Sequence, residues 1–344
     1  MNKKEVMLSL IRNNGLSVKK IMNASRCVLS YLLKKPVVHA YPFILMIEPT
    51  NYCNLRCPLC PTGNGSLKAP RGFMKLENYR KIIDECGDYL LNVTLWNFGE
   101  SFLHKNIYDI IEYTKKKNIF IRMSTNGHYF NNKENVERLV KSRIDNIIIS
   151  LDGASQETFI KYRVGGNFQQ VIDGVTNLIK EKKRQNSKTP FVELQFIIMK
   201  HNEHEIEKAR ELAKKIGVDK VTFKTVSFQI DQALSKEKIE EFMPEEKEHA
   251  RYEEINGEII RKAAIDDKCQ WLWMASTINW DGLVTPCCYD PNRTMNLGNV
   301  VKEGMMKIWN GERYQALRRK IIMDKKTINL CKDCPGLLFG KTLN

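Results

Sequence analysis

The chain of 344 residues has no run approaching the roughly 18 consecutive apolar residues of a membrane span, and its mean hydropathy is −0.40. A membrane-spanning helix is therefore not expected. It has no internal repeat and no low-complexity tract, and with 42% hydrophobic and 28% charged residues it is neither disordered nor fibrous. It also has no secretory leader in the usual form. Met1, Asn2, Lys3 and Lys4 begin like one, but Arg12, Asn13 and Asn14 interrupt the apolar stretch and no small-residue cleavage site follows. A cytoplasmic location is expected. Acidic residues are in deficit, 40 against 55 lysines and arginines, which leaves a net charge of +15.

Cysteine is plentiful, but the ten are not scattered evenly as a disulfide framework would have them. They fall into two clusters about 180 residues apart, and in a reducing compartment clustered thiols more often hold metal. Cys53, Cys57 and Cys60 form a C-x3-C-x2-C loop. Three thiolates in eight residues can bind three corners of a cubane iron–sulfur cluster and leave one iron open for chemistry. Zinc is the alternative, although it normally takes four ligands and this loop supplies three. Cys269, Cys287, Cys331 and Cys334 offer four thiolates, enough for a closed site. A closed cubane or a zinc ribbon fits that spacing equally well. Cys27 and Cys86 sit in apolar helical patterns and read as core.

Residues 1–42 read as a basic helical extension. Eight lysines and arginines face one glutamate there, a net +7, and Pro36 and Pro42 punctuate its end. From Phe43 strands alternate with helices: strands over 43–48, 93–97, 119–123, 146–150, 191–198 and 220–225, and helices over 76–86, 107–117, 134–141, 168–184 and 205–215. Alternation of this kind implies an α/β fold with a parallel sheet, and six units are too few for a closed eight-stranded barrel. The expectation is a partial (β/α)6 TIM-like barrel over 43–227. A helical linker over 228–268, with a helix start at Pro244, and a small cysteine-bearing domain over 269–344 follow it. A hairpin is expected through Ile278 to Thr285, turned by Asp281-Gly282.

Functional groups of such a fold gather just after the strands' C-terminal ends. The cysteine loop, Asn97-Phe98-Gly99-Glu100-Ser101, Ser124-Thr125-Asn126-Gly127 and Ser150-Leu151-Asp152-Gly153 all occupy such positions. Gly99 lets a ligand approach the backbone, and Glu100 offers an acceptor for an ammonium group. The six histidines carry no comparable pattern. His104 follows the Gly-Glu motif, and the others read as solvated or capping residues.

On these motifs, residues 43–336 resemble a radical S-adenosylmethionine (SAM) enzyme with a C-terminal auxiliary-cluster domain of the SPASM or shorter Twitch type. The resemblance implies a radical-generating [4Fe-4S] cluster on Cys53, Cys57 and Cys60, whose open iron binds the methionyl part of SAM. Gly99 and Glu100 match the family's Gly-Gly-Glu-Pro segment, here without its first glycine and its proline. Ser150 and Arg163 match positions that contact ribose and carboxylate. Leu59 stands where the family often has an aromatic residue beside adenine, so a backbone contact can survive and a stack cannot. Val226 is a further candidate for the adenine wall. One auxiliary [4Fe-4S] cluster is implied on Cys269, Cys287, Cys331 and Cys334, which turns the balance there from zinc to iron–sulfur.

Cys288, next to Cys287 in an expected strand, should point to the opposite face and need not share that cluster. It is either a small buried hydrophobe or a thiol that returns hydrogen to a substrate radical, as in similar epimerases. A small-molecule or lipid-linked carbohydrate is the implied substrate class, with dehydrogenation or epimerisation as the outcome and a flavodoxin or ferredoxin as the reductant. A peptide- or protein-modifying maturase is the alternative, but residues 1–42 lack the strand pattern of a peptide-recognition domain. The basic charge alone would also suit a nucleic-acid-binding protein with structural metal sites. Nucleic acid is the less favoured partner, because the charge beyond residue 42 is dispersed and no aromatic-basic interleaving marks a strand-binding groove. In residues 1–42, Met7, Leu8, Leu10, Ile11, Ile21, Val28, Leu29, Leu32 and Leu33 make apolar stripes flanked by lysines. These suit either a peripheral contact with an anionic membrane or packing on the barrel's open end.

Overall fold

The computed structural model describes residues 11, 15–228, 234–262, 268–332, 334 and 336. It is an α/β fold of the partial-barrel kind, with strands β1 (Ile44–Ile47), β2 (Asn92–Thr94), β3 (Phe120–Thr125), β4 (Asn146–Ser150), β5 (Phe191–Ile198) and β6 (Lys220–Thr225). A second series follows: β7 (Tyr252–Ile255), β8 (Glu258–Arg261), β9 (Ala275–Ile278), β10 (Leu283–Thr285) and β11 (Gly298–Asn299). The chain divides into two compact units. One comprises Met1–Tyr52, Leu67–Met123 and Ile265–Phe339, and the other Cys53–Ser66, Ser124–Ala264 and Gly340–Asn344.

In the first unit β1 pairs in parallel with β2 on one edge and with β9 on the other, and β2 pairs in parallel with β3. All four residues of β1 are buried, as a parallel strand covered on both faces requires. The helices Leu76–Cys86 and Ile107–Lys115 provide the crossovers. The expected hairpin is β9–β10, with Gly282 at φ +83° in its turn and β11 added antiparallel to β10. The cysteine-bearing segment therefore shares a sheet with the first strand of the chain. In the second unit β4, β5 and β6 are parallel neighbours, alternating with the helices Phe168–Arg184 and Ile206–Ile216. Asn167 caps the first of these, whose last turn carries Lys182, Lys183 and Arg184 at the negative end of the dipole. Gly217, at φ +82°, closes the second.

The stretch 228–268 corrects the sequence reading. Among its described residues only Lys236–Phe242 is helical, and β7 and β8 form an antiparallel hairpin where a helical linker was expected. No helix starts at Pro244, and the N–H groups of Glu245 and Glu246 donate to the Glu203 carboxylate. The hairpin turns on Asn256-Gly257, both at positive φ (52° and 82°), which is the primed turn that this dipeptide favours.

The helix Val18–Leu32 docks with its polar side inward. Lys20, Asn23 and Cys27 are buried. The Lys20 ammonium donates to the carbonyls of Lys117 and Asn118 at 3.0 and 3.1 Å, Asn23 exchanges two bonds with the Tyr41 backbone, and the Cys27 thiol meets the Tyr41 carbonyl. Burial lowers the Lys20 ammonium to about 8. No helix of the described residues is long and apolar enough to cross a membrane.

Arg318, fully buried, closes this corner. Its guanidinium donates to the carbonyls of Leu272, Pro36 and Trp309 at 2.8–2.9 Å and lies over the rings of Trp309 and Tyr314. Arg318→Met should strand three buried carbonyls and lower stability by more than about 3 kcal/mol, read as a shifted midpoint in urea unfolding.

Candidate functional site

Cys53 directly follows the last residue of the first unit, and the loop it begins belongs to the second. The Cys60 N–H bonds the Cys57 carbonyl at 3.1 Å, and a short helical turn, Pro61–Asn64, follows. Gly63 makes this possible: a Cβ there would stand 2.5 Å from the Cys57 nitrogen and 2.6 Å from its oxygen. Sulfur-directed donors surround the thiols. The Leu55 N–H meets the Cys53 sulfur at 3.4 Å, the Asn126 amide, also bonded to Asn54, meets it at 4.0 Å, and the Arg163 guanidinium meets the Cys57 sulfur at 3.7 Å.

Arg163 is fixed by Asp152, whose side chain is wholly buried and bonds Nε at 2.6 Å as well as the second terminal nitrogen. Asp152 also accepts the Ile197 N–H at 2.6 Å. Burial opposes the guanidinium's charge, but Asp152 and Cys57 together hold its pKa above the ordinary value. Burial pushes the Cys57 thiol up, with Arg163 working against that shift. Leu59 and Val226 lie in one apolar cluster with Cys57, Tyr162 and Met199, and Cys53 and Cys60 pack against it. Ser150 ends β4, buried and in register with Gln195. The structure thus brings six expected residues into contact or into one cluster: Cys53, Cys57, Cys60, Leu59, Arg163 and Val226.

In the first unit the Gly99 region is built against the loop after β1. Gly99 has φ +82°, and a Cβ would fall 2.5 Å from the Thr50 oxygen and 2.7 Å from that of Tyr52. The Glu100 N–H donates to the Tyr52 carbonyl at 2.7 Å, and its buried carboxylate accepts the Phe102 N–H, capping the turn Ser101–Leu103. Both amide atoms of Asn97 are buried with no partner among the described residues. Glu48, next after β1, accepts the Phe98 N–H at 3.3 Å and lies 3.5 Å from Arg293, which is paired to Asp281 of the β9–β10 turn. Burial raises Glu48 to about 7 against the pull of Arg293. His104 does not enter a ligand site. It bridges the Met74 carbonyl and the Asn106 N–H.

Cys269 precedes the turn Trp271–Met274, whose N–H groups reach it, and the Tyr289 N–H reaches Cys287. The Gly336 N–H meets the Cys334 sulfur at 3.4 Å, and the Cys334 N–H bonds the Cys331 carbonyl at 3.1 Å. Burial pushes Cys269 and Cys288 up to about 11 and Cys331 to about 12. Cys288 departs from expectation. β10 ends at Thr285 before Pro286, so Cys287 and Cys288 lie in a turn, where strand alternation does not apply. Cys288 accordingly feels the charge of Cys334, and Cys287 that of Cys288.

Among the described residues no three His, Cys, Asp or Glu side chains stand as a ready metal-binding group. The fit to iron–sulfur clusters rests on chemistry: grouped thiols, N–H donors aimed at sulfur, and a cation beside the first loop. Residues 47–213 match the radical SAM superfamily, and residues 269–335 match the SPASM iron–sulfur cluster-binding domain. The chain is a radical SAM protein with a SPASM domain.

Among curated relatives of this radical SAM–SPASM chain is the AdoMet-dependent heme synthase of Methanosarcina barkeri, 28% identical over 177 residues, 51% of this chain and 48% of that protein. The tungsten-containing aldehyde ferredoxin oxidoreductase cofactor-modifying protein of Pyrococcus furiosus is 22% identical over 321 residues, 84% of this chain and 86% of that protein. The chain spans about half the length of several curated relatives it matches. In fold it is similar to Streptococcus suis SuiB bound to S-adenosylmethionine, with TM-score 0.64 and 16% identity over 92% of this chain and 76% of that one. It is also similar to BtrN in complex with AdoMet and 2-DOIA, with TM-score 0.53 and 16% identity over 88% and 98%. A radical SAM domain binds SAM and a [4Fe-4S] cluster, and a SPASM domain binds auxiliary iron–sulfur.

Sequence reasoning quoted Asp152 and Asn126 without giving them work, and it passed over Gly63, Glu48 and Arg293. The near-invisible signal was the buried carboxylate type itself, an Asp after β4 and a Glu after β1 in otherwise apolar runs. Two predictions follow from these groups. Asp152→Asn should cost about 3 kcal/mol in denaturant unfolding, because Arg163 is left buried beside a neutral partner. Glu48 has a folded pKa above its unfolded value, so its contribution to stability falls as pH rises from about 4.5 to about 7 and is flat outside that window. In unfolding measured across pH, Glu48→Gln should lack that decline, a difference of up to about 3 kcal/mol at pH 7.

Proposed function

We propose that the protein binds SAM on a cluster held by Cys53, Cys57 and Cys60 and abstracts hydrogen from a carbon of a polar, carbohydrate-like substrate. The observation that carries this is the Asp152–Arg163–Cys57 chain of contacts, which keeps a cation beside one thiol of the three-cysteine loop. When bound, SAM and the reduced cluster supply a 5′-deoxyadenosyl radical. The residues of the chain position and insulate. Arg163 offsets the negative charge of the thiolates and offers its planar donors to the methionyl carboxylate. Glu100 accepts from the methionyl amine, with Gly99 keeping the backbone close. Ser150 bonds ribose, and Leu59 and Val226 wall the adenine. Cys269, Cys287, Cys331 and Cys334 hold one auxiliary [4Fe-4S] cluster, and a flavodoxin or ferredoxin is the electron donor.

Cys288 decides the outcome at the substrate carbon. A hydrogen atom returned from its thiol to the opposite face would invert a stereocentre and leave a thiyl radical to be restored by an electron from the auxiliary cluster and a proton from solvent, whereas loss of a proton to solvent and of an electron to the auxiliary cluster would turn an alcohol into a ketone. Support for a small polar substrate comes from the 98% coverage of BtrN, whose complex contains 2-DOIA. A second reading, a peptide- or cofactor-modifying maturase, is supported by the higher TM-score to SuiB and by the mycofactocin maturase of Mycobacterium ulcerans, 26% identical over 176 residues. Ten cysteines, all free, suit a reducing cytoplasm.

Anaerobic reconstitution should give about eight irons per chain, two four-iron clusters, and 5′-deoxyadenosine on reduction. Cys57→Ala should lower the count to about four and abolish SAM cleavage. Zinc without cleavage would sink the proposal. In deuterated water, solvent deuterium in the product that is lost with Cys288→Ala marks epimerisation. An oxidised product unaffected by that substitution marks dehydrogenation.

A further inference from the structure

The helix Val18–Leu32 is built inside out. Its inward face is polar, Lys20, Asn23 and Cys27, each held by bonds to backbone carbonyls. Its outward face is apolar. Val18 is 74% exposed, Ile21 49%, Met22 51%, Val28 37%, Leu29 55% and Leu32 67%, with Leu33 just beyond at 57%. At 3.6 residues per turn these seven fall in an arc of about 140°, opposite the buried face. Solvent alone gives no reason to bury a lysine amine and expose seven large apolar side chains on one helix.

The charge around the stripe names its complement. Lys19 and Arg26 border it on the helix, Lys34 and Lys35 follow its end, and all four are exposed. No acidic residue occurs between Gly15 and Pro42. Fifteen residues make a helix of roughly 22 Å, shorter than a roughly 30 Å hydrocarbon core, so the helix suits lying in an interface and not crossing it.

We propose that this helix docks the protein on an anionic lipid bilayer, with the Val18–Leu33 stripe in the headgroup–acyl boundary and Arg26, Lys34 and Lys35 on lipid phosphates. The inference is independent of the reaction proposed above and adds a location for it. A chain held there would meet a lipid-linked substrate at its headgroup.

Full-length protein is sedimented with phosphatidylcholine vesicles prepared with and without phosphatidylglycerol. Binding is expected to the anionic vesicles and to weaken with salt. Leu29→Gln/Leu32→Gln, at exposed positions, should bind at least about tenfold more weakly with an unchanged circular dichroism spectrum. Lys34→Glu/Lys35→Glu should lose about tenfold or more on anionic vesicles only. Failure to bind anionic vesicles, or equal binding by the parent and the Leu29/Leu32 variant, overturns the proposal. In that event analytical ultracentrifugation assigns the stripe. Self-association abolished by the same variant gives it to a second copy, and a monomer throughout gives it to a cover within the chain.

Discussion

The first unit depends on the double pairing of β1. Four buried residues, Ile44 to Ile47, are bonded on one edge to β2 and on the other to β9, a strand more than two hundred residues later. Because both faces of β1 are buried, side-chain alternation cannot set its register. The ends do. The Phe43 N–H bonds the Met274 carbonyl at 3.0 Å, and the Glu48 N–H bonds that of Ile278 at 2.9 Å. With the strand pinned, the loop that leaves it is pinned too. The Thr50 and Tyr52 carbonyls stand where a side chain at position 99 would fall, the Tyr52 carbonyl accepts the Glu100 N–H, and Cys53 is the next residue. The SPASM segment therefore helps to fix, by backbone pairing, the strand and the residues up to Tyr52, before any cluster is considered. Glu48 adds a side-chain link in the same place, joining the Phe98 N–H to Arg293.

Burial resists ionisation of Cys57 in the first cysteine group and of Cys269, Cys287 and Cys331 in the second, and each group has a cation next to it. Arg163 serves the first. Lys325 serves the second, donating to the Cys334 carbonyl at 2.5 Å and lowering Cys269 and Cys331 electrostatically against their burial. The two cations are held differently. Arg163 is paired with the Asp152 carboxylate, and Lys325 donates to the backbone carbonyls of Lys268 and Cys334. Net charge and sulfur-directed hydrogen bonds are the levers by which a protein sets cluster potentials.

Much of this was legible. The strands over 146–150, 191–198 and 220–225 and the helices over 76–86 and 168–184 have the bounds their periodicity predicts, because long apolar runs bounded by polar turns leave little choice. The cysteine loop was legible because three thiols at that spacing have few other uses. The hairpin β7–β8 was missed although Asn256-Gly257 announces it, since charged residues such as Glu253, Glu254 and Glu258 mimic a solvated helix. The facing of Cys288 was misjudged for a single reason: the strand that the alternation argument assumed ends at Thr285, before Pro286. The partnership of Asp152 with Arg163 spans only eleven residues, yet it needs Asp152 at φ +47°, a backbone geometry that no pattern of residue types encodes.

The N-terminal segment shows why pattern alone leaves orientation open. Its apolar stripe reads identically whether it faces a core or a membrane, and only the polar face can discriminate. Here that face is engaged by Lys20 on the carbonyls of Lys117 and Asn118 and by Asn23 and Cys27 on Tyr41, and beyond the helix the Lys35 carbonyl accepts the Trp273 indole N–H and the Pro36 carbonyl accepts from Arg318. These bonds are directional, so they fix rotation about the helix axis where apolar packing would leave it loose. Turning the stripe inward would break the Lys20, Asn23 and Cys27 bonds together and expose the buried carbonyls of Lys117 and Asn118 without partners. The outward stripe is therefore a consequence of satisfied polar groups, and the positive charge concentrated beside it lies on the same fixed face.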